Sequence, residues 1–107
     1  MNILFVCSQN KWRSKTAETI FKNDEGLCVK SAGTEKGARI RITENLLTWS
    51  DLIFVMEKRH KERLFSKYEG LVNDKKIIIL DIPDDYKYMD EELVSNLRDS
   101  VAFYLNQ

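Results

Sequence analysis

At 107 residues the chain has the size of one domain with a single core, and it needs no disulfide or metal to hold it together. Its 17 Lys and Arg cancel its 17 Asp and Glu, which argues against nucleic acid or an anionic membrane as a bulk partner. The longest apolar run is far short of a membrane span, no basic leader precedes the first strand pattern, and two cysteines make no disulfide framework, so a cytoplasmic, reducing setting is expected.

In chain order, Asn2-Ile3-Leu4-Phe5-Val6 reads as a buried strand that breaks into the polar loop Cys7-Ser8-Gln9-Asn10-Lys11-Trp12-Arg13. Ser14 to Lys22 reads as a helix with Ala17, Ile20 and Phe21 on one face. After the turn residues Asn23 to Gly26 comes a second strand, Leu27 to Ser31, and Gly33 then allows a tight turn. Glu35 to Arg41 is polar and basic, and Thr43 followed by Glu44 caps a short helix through Leu46, Leu47 and Trp49. Asp51 to Met56 is a third strand and Glu57 to Lys67 a charged helix with Leu64 and Phe65 facing inward. Lys76 to Leu80 is a fourth strand, Asp81 to Asp90 an acidic loop around the only proline, and Glu91 to Leu105 a closing amphipathic helix. Continuous apolar strands separated by helices call for a parallel sheet covered on both faces, and right-handed crossovers make it doubly wound.

The loop after the first strand carries the chemistry. Backbone N–H groups at a helix N-terminus have no intrahelical partner and, with the helix dipole, form a site for an anion, with Cys7 at its bottom. Those groups and the guanidinium of Arg13 favour thiolate over thiol, the form that attacks. The planar fork of Arg13 also binds two oxygens of a phosphoryl group at once, and Ser14 offers a hydroxyl to the cysteine sulfur.

Cys7-x5-Arg13-Ser14, at the end of a first strand, resembles the phosphate-binding loop of the low-molecular-weight protein tyrosine phosphatases. The likeness extends to Asn10, Ala17-Glu18, Ser31-Ala32-Gly33-Thr34, Asp51 to Met56, and Pro83-Asp84-Asp85-Tyr86, which resembles the segment carrying that family's general acid. The resemblance implies a flavodoxin-like sheet of order 2-1-3-4 over residues 1–107, with the first loop at the switch between strands 1 and 3 and the loop after strand 4 at the same edge. It implies hydrolysis of phosphotyrosine or another aryl or alkyl phosphomonoester through a phosphocysteine. Cys7 would be the nucleophile, Arg13 the phosphate clamp and Asp84 the general acid, with Ser8, Gln9, Asn10, Lys11, Trp12, Ser14 and Tyr86 binding substrate. The partner would be a phosphorylated protein or a small phosphomonoester, with no cofactor, metal, nucleic acid or membrane involved; nothing fixes an oligomeric state.

The chain departs from the family's pattern at several places. Gln9 stands where Gly is usual, so a left-handed backbone there would be strained. Trp12 replaces a second cysteine found in several members, the segment between Thr34 and Arg39 is short, and Asp85 replaces Pro. Two other readings are a non-catalytic phosphate-binding module and an arsenate-reductase-like enzyme. Trp12 either packs beneath the loop or lines the cleft mouth and stacks on an aryl group. Tyr86 and Tyr88 pose the same choice. Cys28 reads as a small buried hydrophobe, with a protective disulfide to Cys7 as the alternative. His60, in the basic run Lys58-Arg59-His60-Lys61, reads as part of a solvated helix face and takes no role.

Overall fold

In the computed structural model, which describes residues 1–106, strand β1 (Asn2–Cys7) lies near the middle of a four-stranded sheet. The order is β2-β1-β3-β4, with β2 spanning Cys28–Gly33, β3 Leu52–Val55 and β4 Lys76–Ile79, and every pairing is parallel. Helices α1 (Arg13–Phe21), α2 (Glu44–Trp49), α3 (Lys58–Val72) and α4 (Glu91–Leu105) complete the doubly wound, flavodoxin-like arrangement. Most boundaries fall within a residue or two of those read from the pattern. The exception is α3, which continues to Val72 past non-helical angles at Tyr68 (φ −131°, ψ 32°), a kink that hydrophobic periodicity does not register.

Alternation along β1 divides the core. Ile3, Phe5 and Cys7 face one apolar cluster, with Ala17, Ile20 and Phe21 of α1 and Leu93, Leu97 and Val101 of α4. Leu4 and Val6 face the other, with Leu47 of α2 and Leu64 and Val72 of α3. On the first side Phe5 is sandwiched between Phe21 and Phe54, with ring centroids 5.7 and 5.4 Å away. Stacked aromatic pairs of this kind stabilise by about 0.5–1.5 kcal/mol beyond their buried area. This stack ties α1 to β1 and β3 and so fixes the helix start at which the Cys7 loop ends.

Side-chain caps set two helix starts, the first as the sequence suggested. Thr43 Oγ1 accepts from the Leu46 N–H at the head of α2, and Asp90 Oδ1 accepts from the N–H groups of Glu92 and Leu93 at the head of α4. By contrast, no side chain caps α1: its first intrahelical bond is Thr16 N–H to Trp12 O, and the N–H groups of the preceding turn stay available.

Gly33 serves the loop differently from the expected tight turn. It is the last residue of β2, paired with Cys7, and a Cβ on it would stand 2.5 Å from Ser8 O and 2.7 Å from the Ala38 side chain. Its role is close backbone approach behind the Cys7 loop. Gly33→Ala should therefore destabilise by about 1–3 kcal/mol, as overpacking does. Gly70→Ala, at a helical position of α3 where a Cβ meets nothing within 4 Å, should instead stabilise by about 0.5–1 kcal/mol. Urea unfolding of both variants reads the opposite signs directly.

Candidate active site

The loop from Cys7 to Arg13 closes over the end of β1 and is shaped by Asn10. The backbone of Asn10 is left-handed (φ 57°), while Gln9, where strain was expected, is not among the positive-φ residues. Asn tolerates this region far better than Gln, so the chain makes its turn one residue later and the missing glycine costs little. The Asn10 amide Nδ2 donates to Ser14 Oγ at 2.7 Å, leaving the Ser14 hydroxyl proton for Cys7 Sγ at 2.9 Å. The Asn10 backbone N–H also donates to that sulfur at 3.3 Å. Two donors therefore converge on Cys7 Sγ, and such bonds strengthen when the acceptor carries charge.

Arg13 is 2 % exposed, and its Nη1 donates to Glu57 Oε1 at 2.5 Å and to the Ile82 carbonyl at 2.8 Å. A guanidinium has five N–H donors, and the two on Nη1 are engaged by these acceptors. The Nε and Nη2 edge remains for a ligand. On that side Arg13 Nε lies 3.7 Å from Asp84 Oδ1.

Cys7, Ser8, Gln9, Lys11, Trp12, Arg13 and Asp84 line a cleft of about 170 Å³. Trp12 is 44 % exposed, which places it at the mouth and not beneath the loop. Asp84, not Asp85, is the acidic residue of this lining. The other residues nominated from sequence lie elsewhere. Asn10 and Ser14 are fully buried behind the loop and shape it without reaching the cleft. Tyr86 packs against the core on the α4 side, its hydroxyl 3.4 Å from Asn96 Nδ2, and Tyr88 bonds Thr19 Oγ1 at 2.9 Å. Neither tyrosine faces the cleft, because the acidic loop runs along α1 and α4 before entering the last helix.

Two further sequence expectations are overturned. Cys28 is exposed, and it pairs with Asn2 at the opposite end of the β1–β2 ladder from Cys7 and Gly33. At about 3.3 Å per residue along a strand the two thiols stand far beyond the roughly 7 Å Cα limit for a disulfide. A protective disulfide is therefore excluded in this fold, and so is a thiol relay through Cys28.

His60 is 1 % exposed and belongs to the site. Its Nδ1 accepts the Glu57 N–H at 3.0 Å, which assigns the proton to Nε2, and Nε2 donates to Ser8 Oγ at 2.9 Å. The His60 backbone N–H in turn donates to the Glu57 carbonyl at 3.0 Å, so Glu57 and His60 bond reciprocally at the head of α3. The Glu57-x-x-His60 spacing was the available signal, but Glu is a rare N-cap and His an unusual third residue. Burial, followed by the nearby charges of Arg13 and Arg59, lowers His60 to about 4. A hydrogen bond from Arg59, then those from Arg13 against the cost of burial, lowers Glu57 to about 2.

No protein-family model matches this chain, and no curated protein sequence does. Solved structures do. The low molecular weight protein tyrosine phosphatase SP-PTP from Streptococcus pyogenes superposes with a TM-score of 0.80 at 20 % identity, over 98 % of this chain and 91 % of its own. The tyrosine phosphatase Wzb from Escherichia coli K30 gives 0.78 at 21 %, over 98 % and 96 %. The fold is that of the low-molecular-weight phosphatases. The YwlE arginine phosphatase from Geobacillus stearothermophilus shares it as well, at 0.73 and 20 % identity over 98 % of this chain and 92 % of its own. Among the described residues no helix is long and apolar enough to cross a membrane.

The buried His60 and the half-buried Glu57 have a consequence for stability. The unfolded chain protonates His60 below its ordinary 6.5, whereas the folded site resists until about 4, so the unfolded state binds more protons across that window. Stability should fall as pH drops from 6.5 to 4. Glu57 adds a loss in the same direction between 4.5 and about 2. In His60→Gln, which retains one donor and one acceptor, urea unfolding against pH should lose the upper part of this slope and keep the lower; an unchanged slope would refute the assignment.

Proposed function

We propose that the protein is a cysteine-dependent phosphomonoester hydrolase acting on phosphotyrosine or a related aryl or alkyl phosphate, and that it works in the cytoplasm. The observation that carries this reading is the single cleft lined by Cys7, Arg13 and Asp84 together. Cys7 Sγ attacks phosphorus in line, forming the S–P bond as the P–O bond to the leaving group breaks. The loop N–H groups and the Nε–Nη2 edge of Arg13 hold the equatorial oxygens. Asp84 gives its proton to the departing oxygen. In the second step the Asp84 carboxylate takes a proton from water, whose oxygen attacks the phosphocysteine and releases inorganic phosphate and the thiolate. Preorganised positioning of this kind supplies most of the acceleration in phosphoryl transfer.

Substrate preference follows from the mouth. Trp12 offers a broad face for stacking on an aryl group, and Lys11 beside it favours a phosphoester carrying further negative charge. Arsenate-reductase-like chemistry is disfavoured because Cys28 lies at the far end of the sheet. An exposed free thiol at Cys28 is in keeping with a reducing compartment.

Pre-steady-state hydrolysis of an aryl phosphate between pH 4.5 and 8 tests the proposal. Wild type should give a burst that Cys7→Ser lacks, and Asp84→Asn should turn over about 10²–10⁴-fold more slowly, as loss of a general acid does. Asp85→Asn should stay close to wild type. Binding of phosphate without turnover in wild type would mean that the loop is a recognition module and not a catalyst.

A further inference from the structure

On the α2–α3 side of the molecule lies a second and larger cavity, of about 320 Å³, that the proposed chemistry does not use. Its cations are Arg41, Arg63 and Lys67, and no acidic residue lines it. Arg63 is paired with Glu35, at 2.9 Å, but Arg41 and Lys67 have no carboxylate partner among the described residues. Two unopposed cations beside a paired third, around a concave surface, concentrate positive potential there. Thr34 contributes to the same wall, and its Oγ1 is sealed from solvent with no hydrogen-bond partner, a state that polar atoms rarely keep.

Apart from Ser66, the remaining wall is apolar and fixed in place. Ile42 and Leu64 are buried, and the ring of Tyr68 sits at the kink of α3 with its hydroxyl donating to the Ile42 carbonyl at 3.4 Å. A cation cluster next to a flat apolar surface, with Lys67 Nζ 5.6 Å from the centre of the Tyr68 ring, suits a ligand with both features. Apolar surface beside placed polar and charged groups is found in small-molecule sites, and the volume is in their range.

From this arrangement we infer that the cavity is a second ligand site, for a small planar organic anion whose phosphate, phosphonate or carboxylate meets Arg41, Arg63 and Lys67 while its ring lies on Tyr68 and Leu64. The site shares backbone with the Cys7 loop. Thr34 N–H donates to the Cys7 carbonyl at 2.9 Å and Glu35 N–H to the Ser8 carbonyl at 3.0 Å, so an anion that draws Arg63 from Glu35 acts on the strip that backs the loop.

Amide shift mapping by NMR with phenylphosphonate, inorganic phosphate and the neutral benzyl alcohol as probes, at constant ionic strength, tests the inference. Phenylphosphonate should move the amides of Ile42, Ser66 and Tyr68 along a saturable curve, with inorganic phosphate at least tenfold weaker and benzyl alcohol without effect. In the double variant Arg41→Ala, Lys67→Ala, whose two side chains are exposed, the midpoint at these amides should rise at least tenfold, whereas the response of Gln9 to Trp12 at the Cys7 cleft should persist. The inference fails if the three amides do not move, if inorganic phosphate matches phenylphosphonate there, or if the double variant leaves the midpoint unchanged.

Discussion

The placement of a nearly inaccessible guanidinium governs this structure. Moving a charge out of water costs several kcal/mol unless partners replace the lost solvation. Arg13 finds those partners in Glu57, at the end of the third strand, and in the Ile82 carbonyl, after the fourth. One side chain thereby ties together the three segments that meet at the carboxyl edge of the sheet. Because both acceptors bind the same terminal nitrogen, the guanidinium is held from behind, with its other edge presented to the cleft. A lysine could not satisfy both acceptors and still present a second edge, which is why the residue type matters beyond its charge.

Around that anchor the polar groups form a chain in which each bond sets the next. The Glu57 N–H fixes the histidine tautomer, the histidine fixes Ser8, and on the other side Asn10 fixes Ser14, which fixes the sulfur. Networks of this kind polarise along their length and resist partial disruption, since a half-satisfied buried network costs more than it contributes. The loop is therefore held in shape before any ligand arrives, and little ordering entropy remains to oppose binding.

The strands, helices and Cys7 loop were legible in the sequence because each has a local signature: apolar strands, turn residues, and cysteine, arginine and serine at fixed spacing; the strand order came from the family resemblance that those segments carry. The residues that pair across the sheet were not. Glu57 and His60 sit in a run whose composition is that of a solvated surface, and only the three-dimensional return of α3 onto Ser8 makes them part of the site. The same reason misdirected Tyr86, whose neighbours in sequence border the cleft while its ring turns to the core. Cys28 was misplaced for want of register: a strand pattern says that β2 adjoins β1 but not which end of one faces which end of the other. Asn10 shows a subtler case, a left-handed residue displaced by one position from where the glycine of related loops would put it.

The separation of the two cysteines also sets the fate of the protein under oxidants. A thiolate oxidised to sulfenic acid is usually rescued when a neighbouring thiol closes a disulfide and stops the ladder there. Cys7 has no such neighbour: Trp12 fills the position beside Arg13, and the one other thiol of the chain is at the far end of the sheet. Recovery then depends on thiols supplied by the surroundings, and without them oxidation proceeds to the sulfinic and sulfonic acids, from which the thiol does not return. Return of an oxidised Cys7 to the thiol is thus tied to the redox buffer around the protein and not to a second thiol within its own fold.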